Sequence, residues 1–243
     1  MVARTHLLGL PSGTRGRYHG AMCGRFSLAA SWDQIRRYYD LIGAPMNLAP
    51  RYNVAPTQSV PVVRRAGAHE CEAVMMRWGL IPSWAKDARL GARMINARAE
   101  TVAEKPAFRV AFRSRRCLVP ADGFYEWQAR PEGKQPYRIA RPDGGLFTFA
   151  GLWERWEKAP DGAPVESFTI ITTTATPELH PIHPRMPVVV ESSNYATWLD
   201  GDAPAALNLL AAADDDTLVA IPIGTRINAV RNDDAACIEP LAG

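Results

Sequence analysis

The sequence predicts an α+β fold: a single domain built on a mostly antiparallel, barrel-like β-sheet with helices at its periphery. Three observations carry this. Short runs rich in β-branched and aromatic residues recur along the chain, while only a few stretches repeat their apolar residues at helical spacing. No linker-like segment divides the chain, and its 20 prolines are spread throughout. Its 243 residues, 47% hydrophobic and 22% charged, suffice to bury a sizeable core.

Residues 1–21 hold no Asp or Glu, and Gly9, Pro11, Gly13 and Gly16 break any amphipathic helix. They read as a disordered extension or as a start assigned too far upstream, with the folded domain spanning 22–240. Ser31 and Gln34 form a capping-box pattern. Trp32, Ile35, Tyr39 and Ile42 then recur at helical spacing until Gly43. Strands are expected at 60–64 and 73–78, and Asn53-Val54-Ala55-Pro56 reads as a turn. Helices are expected over 96–104 and 107–113. The second of these places Phe108 and Phe112 on one side and Arg109 and Arg113 on another. Strands follow at 117–119, 123–128, 137–141, 146–153, 167–173 and 186–191. Helices over 193–199 and 203–213 and a strand at 218–222 complete the pattern.

Net charge is only +3, but it is unevenly placed. Arg77 to Arg116 contains ten basic and three acidic residues, an excess of +7 that leaves −4 for the remainder. Such a block suits a phosphate backbone, and it also suits a solvated face in an arginine-rich protein, since only four of the 28 basic residues are lysine. The four cysteines form no C-x-x-C pair, which argues against a zinc ribbon or a thioredoxin-like site. No apolar run is long enough to span a bilayer.

Four residues could carry chemistry. Cys23 directly follows Met22, so removal of residues 1–22 would leave an N-terminal cysteine with a free α-amine beside its thiol. That pair condenses with an aldehyde to an imine and then closes a thiazolidine, which an internal cysteine cannot do. Amine and thiol have ordinary pKa values near ~8 and ~8.5, so reactive forms exist near neutral pH. The plain alternative is a buried small hydrophobe. His183, in the rigid string His180-Pro181-Ile182-His183-Pro184-Arg185-Met186-Pro187, suits a fixed acid or base, or a turn histidine bonded to backbone. Its H-x-x-H spacing is set among prolines and has no further ligands, so no metal is expected. Glu126, amid Gly123-Phe124-Tyr125-Glu126-Trp127, should share a strand face with Phe124 and oppose Tyr125 and Trp127. Burial there would raise its pKa toward acid–base use, unless an arginine pairs with it. Asn96 opens Asn96-Ala97-Arg98-Ala99-Glu100, where a helix N-cap is the simple reading.

Together with Met22-Cys23-Gly24-Arg25-Phe26, Arg51-Tyr52-Asn53-Val54-Ala55-Pro56 and Trp78-Gly79-Leu80-Ile81-Pro82-Ser83-Trp84, these strings resemble the SRAP (SOS response-associated peptidase) family. Six motifs in order cover almost everything after residue 21. The resemblance implies the SRAP fold and a protein that shields abasic sites in single-stranded DNA. Cys23 would form a thiazolidine cross-link with the ring-opened sugar, Asn96 would hold the reacting N-terminus, and Glu126 and His183 would move protons. It further implies DNA contacts at Arg25, Asn53, Arg98 and Arg185, and a stacking aromatic at Trp84. No metal or cofactor is called for. The implied setting is a bacterial cytoplasm, on the nucleoid when bound to DNA, with the protein acting as a monomer away from membranes. The family name adds a peptidase activity, which here would include exposing Cys23, alongside lyase-like chemistry at the lesion. Residues 1–21 depart from the family pattern, and translation from Met22 is the favoured account. A cysteine hydrolase using Cys23 and His183 and a non-covalent reader of modified single-stranded DNA are the competing readings.

Overall fold

Ser31 caps the first helix as its sequence demands: its side chain accepts from the Gln34 N–H, and the Gln34 side chain accepts from the Ser31 N–H at 2.8 Å. In the computed structural model, which describes residues 23–159, 162–214 and 217–241, this helix is α1 (Trp32–Tyr39). It buries Trp32, Ile35 and Tyr39 but stops one turn earlier than expected, because Asp40 turns left-handed at φ 50° and leaves Ile42 exposed. The expectations for residues 1–21 lie outside the described residues.

The strands, in chain order, are β1 (Phe26–Leu28), β2 (Arg51–Val54), β3 (Ser59–Arg65), β4 (Cys71–Trp78), β5 (Asn96–Arg98), β6 (Arg116–Ala121), β7 (Gly123–Arg130), β8 (Gly133–Ala140), β9 (Phe147–Trp156), β10 (Val165–Thr174), β11 (Arg185–Pro187) and β12 (Val219–Pro222). Strands β10, β4, β3, β6 and β9 pair in sequence, and β9 pairs back onto β10. This ring closes a five-stranded barrel and leaves those strands no free edge. All its pairings are antiparallel except β10 with β4. A second sheet runs β12-β8-β7-β1-β2 and is antiparallel throughout. Helices α2 (Arg109–Ser114), α3 (Tyr195–Asp200) and α4 (Ala203–Asn208) are peripheral.

Phe26 locks the two sheets together. Its ring lies 5.1 Å from that of Trp78 and 6.0 Å from that of Phe149, both edge-on. Each such pair adds ~1 kcal/mol beyond simple burial. This anchor fixes the chain three residues beyond Cys23. A close backbone approach holds the loop after β4: a Cβ on Gly79, at φ +116°, would meet the Gly91 carbonyl oxygen at 2.6 Å. Only glycine fits there.

Three local expectations need correction. Residues 96–98 are not a helix start; they form β5, parallel to Ile170–Thr172, followed by a 3-10 turn over Ala99–Thr101. Pairing with β10 and burial of Ala97 override the capping preference of Asn96. Asn53 and Val54 belong to β2, and the turn begins at Ala55, whose carbonyl accepts from Gln58 N–H. The helix expected to reach 213 ends at Asn208. The helix expected over 107–113 spans Arg109–Ser114, with Phe108 at its N-cap; Phe108 and Phe112 are buried and Arg109 and Arg113 exposed, as their spacing indicated.

Candidate active site

Strand alternation on β7 sets the centre of the site. Phe124 faces the main core, while Tyr125 and Trp127 face a small cluster with Ile223, Ile227 and Cys237. Glu126 therefore points the same way as Phe124 and is 4% exposed. Its Oε1 accepts the backbone N–H of Cys23 at 2.8 Å. Beside it lies a void of about 10 Å³ walled by Phe124, Ile139, Leu179, Ile182 and Met186 together with His183 and Arg185. Such a space holds one water at most. Burial pushes the Glu126 carboxyl up to about 8, and the Cys23 N–H offsets this only in part. No arginine pairs with Glu126 among the described residues.

Cys23 is itself buried, with a left-handed φ of 24°. Asn96 Nδ2 donates to its carbonyl at 3.2 Å, so β5 as well as β7 holds the residue. Burial, with Glu126 adding to it, raises the thiol well above its ordinary range. His183 lies beside Glu126, its Nδ1 3.9 Å from the same Oε1. The same Nδ1 sits against the Arg185 main chain, 3.2 Å from the N–H and 3.0 Å from the carbonyl oxygen. Burial lowers the His183 pKa, which keeps the ring neutral at pH 7. An open pocket of about 370 Å³ lies over this group, lined by Gly24, Arg25, Pro56, Ile95, Glu126, Trp127, Lys134 and His183. A larger groove of about 610 Å³ between Arg141, Glu191 and Asp214 contains none of these residues.

The structure thus gathers Cys23, Asn96, Glu126 and His183 from four separate segments. Arg25 joins them at the pocket wall. Asn53 is fully buried and reaches the site through Arg25: its Oδ1 accepts from Arg25 Nη1 at 2.8 Å, while its Nδ2 faces the carbonyl oxygens of Ile227, Ala229 and Asn232. Arg98 is exposed on β5, two residues from Asn96. Arg185 makes a two-point pair with Glu100. Trp84 is 56% exposed and does not line the pocket. The basic block divides. Arg116 is buried against main-chain carbonyls, Arg115 pairs with Glu154, and Arg89 pairs with Asp87. Lys86, Arg93, Arg98, Lys105, Arg109 and Arg113 are exposed and form no ion pair among the described residues.

Sequence reasoning missed several groups. Lys134 reaches the pocket mouth only through the β7–β8 hairpin register, which pairs it with Ala129. The segment 225–237 forms an outer clamp. Asp233 accepts the N–H groups of Tyr52 (2.5 Å) and Asn53 (2.8 Å), and Asn228 Oδ1 accepts from Trp127 Nε1 at 2.7 Å. No local motif marks that segment. Trp127 and Pro56 lay within strings already singled out.

Residues 22–230 match the model of the family described as SOS response associated peptidase (SRAP). The chain is 41% identical over 224 residues to the Bacillus subtilis abasic site processing protein YoqW, covering 90% of this chain and 99% of that one. It is 32% identical over 264 residues to the Gallus gallus abasic site processing protein HMCES, covering 90% of this chain and 78% of that one. A solved structure of a Bacteroides thetaiotaomicron protein superimposes with a TM-score of 0.82 at 26% identity, covering 90% of this chain and all of that one.

Proposed function

The chain belongs to the SRAP family, and on that premise we propose that it recognises abasic sites in single-stranded DNA and caps them through Cys23. The relatives named as abasic site processing proteins point to the substrate. The observation that carries the chemistry is the 2.8 Å contact between the Cys23 nitrogen and Glu126 Oε1 beneath an open pocket. In the chain as sequenced that nitrogen is a peptide N–H. Once residues 1–22 are removed it is an α-amine at the same place, already bonded to a carboxyl group of raised pKa.

The ring-opened abasic sugar presents an aldehyde at C1′. The amine nitrogen attacks C1′, and the carbinolamine loses its hydroxyl as water to give an imine. The thiol sulfur then adds to the imine carbon, its proton passes to nitrogen, and a five-membered thiazolidine closes. Net, one aldehyde and one aminothiol give one ring and one water. Glu126 takes a proton from the attacking amine and returns one to the departing hydroxyl. A carboxyl group that titrates near working pH suits both tasks. Asn96 holds the Cys23 carbonyl and so aims the nitrogen. Neutral His183, beside Glu126, assists sugar opening. Arg25 and Arg98 meet flanking phosphates, and the exposed Trp84 offers a face for a base.

The surroundings of Cys23 favour a cap over a cysteine hydrolase. A hydrolytic thiolate needs a lowered pKa, whereas this thiol is buried beside a carboxyl group and its pKa is raised. The test is a single-turnover reaction with an abasic oligonucleotide, resolved under denaturing conditions. Protein that starts at Cys23 forms one adduct per chain and Cys23→Ser forms none. An adduct that survives in Cys23→Ser overturns the proposal.

A further inference from the structure

Arg185 opens β11 next to the site and already holds an anion. Its Nη1 binds Glu100 Oε1, its Nη2 binds Oε2 at 3.0 Å, and Nη2 also donates to the Thr172 carbonyl at 2.6 Å. We infer that Glu100 is an internal stand-in for a DNA phosphate at Arg185, which single-stranded DNA must displace. The inference rests on the reading that this site takes single-stranded DNA.

Four features support it. A two-point fork on a carboxylate is the geometry with which the same guanidinium grips a phosphate. The partners are unequally exposed: the Arg185 side chain is 15% exposed and that of Glu100 50%. The anion is thus the outward member and can swing into solvent while the cation stays. The Thr172 carbonyl keeps Arg185 anchored throughout, so partners can be exchanged without moving β11. Finally, Glu100 lies close in sequence to the exposed Arg98 and Lys105, which form no ion pair among the described residues. Arg185 is also tied to the chemistry, since its main chain contacts His183 Nδ1.

A phosphate offers Arg185 the same two-point fork, and the half-exposed Glu100 carboxylate regains water when released, so the exchange is nearly balanced. Glu100 therefore weakens binding of any strand, lesion or not. It lowers residence on undamaged DNA and leaves the covalent step to select the abasic site.

The probe is a fluorescein-labelled oligothymidylate without lesion, titrated with the full chain between about 50 and 200 mM KCl, a range over which phosphate contacts respond strongly. Glu100→Gln should bind about 3–10-fold tighter at the low-salt end, with a log–log salt slope steeper by about 0.7, the value for one more phosphate neutralised on a single strand. Glu100→Ala should give the same gain, and thermal melting checks that both variants fold. In an Arg185→Ala background the gain should vanish. An unchanged slope in both Glu100 variants, or an equal gain without Arg185, overturns the inference while leaving the cross-linking function intact. No binding of single-stranded DNA by wild type or either variant overturns both.

Discussion

Glu126→Gln should stabilise the protein while disabling it, and the gain should grow with pH. The folded carboxyl group titrates at about 8 against an ordinary 4.5, because it is buried. A raised carboxyl pKa works against the usual pattern. The folded state holds a proton that the unfolded chain releases, so the contribution of this group to stability is greatest below pH 4.5 and falls as pH rises toward 8. Each unit in that window costs up to ~1.4 kcal/mol. The substituted amide keeps an acceptor for the Cys23 N–H but has no proton to hold. The variant's advantage should therefore be under ~1 kcal/mol at pH 5, up to ~3.5 at pH 7, and reach a plateau above pH 8. Urea unfolding of the full chain at pH 5, 7 and 9 measures this directly. A stability difference that does not change with pH would refute the burial argument. With abasic DNA, the same variant starting at Cys23 should form adduct at least ~100-fold more slowly, the usual size of a lost general acid–base.

Other consequences are as specific. His183→Ala should fold normally and slow adduct formation by ~10–100-fold in a denaturing gel time course; an unchanged rate removes its role in proton transfer. Asn53→Ala removes the side-chain hydrogen bonds that tie β2 to three main-chain carbonyls and to Arg25 Nη1. It should cost about 2–4 kcal/mol in urea unfolding, and a loss below ~1 would show that the clamp is not needed. Lys134→Ala should leave stability alone and make the salt dependence of oligothymidylate binding shallower by about 0.7; an unchanged slope would remove Lys134 from the DNA path. Native Cys23 should react with iodoacetamide at pH 8 more than ~10-fold slower than free cysteine, because its buried thiol is protonated. Rapid labelling would return the hydrolase reading to favour.

What could be read from the sequence divides along physical lines. The helix at Ser31 was legible because a cap and apolar spacing are local. So was the orientation of Glu126, since strand alternation needs only the neighbours of a residue. Asn96 misled for the opposite reason. Its local preference is to cap a helix, and only pairing with Ile170, 74 positions later in the chain, makes it a strand residue. Lys134 and the segment 225–237 gave no signal, because both reach the site through register or loop closure. The raised pKa of Glu126 could be given a direction from its aromatic string, but its dependence on the Cys23 N–H required the fold.

In the proposed reaction Cys23 acts through both its nitrogen and its sulfur. Intact and tandem mass spectrometry of the product with a short abasic oligonucleotide tests it most directly. The expected product has a chain beginning at Cys23, a mass equal to protein plus DNA less one water, and both new bonds on that residue. An adduct on a chain that still carries residues 1–22, or one attached to a different residue, would contradict it.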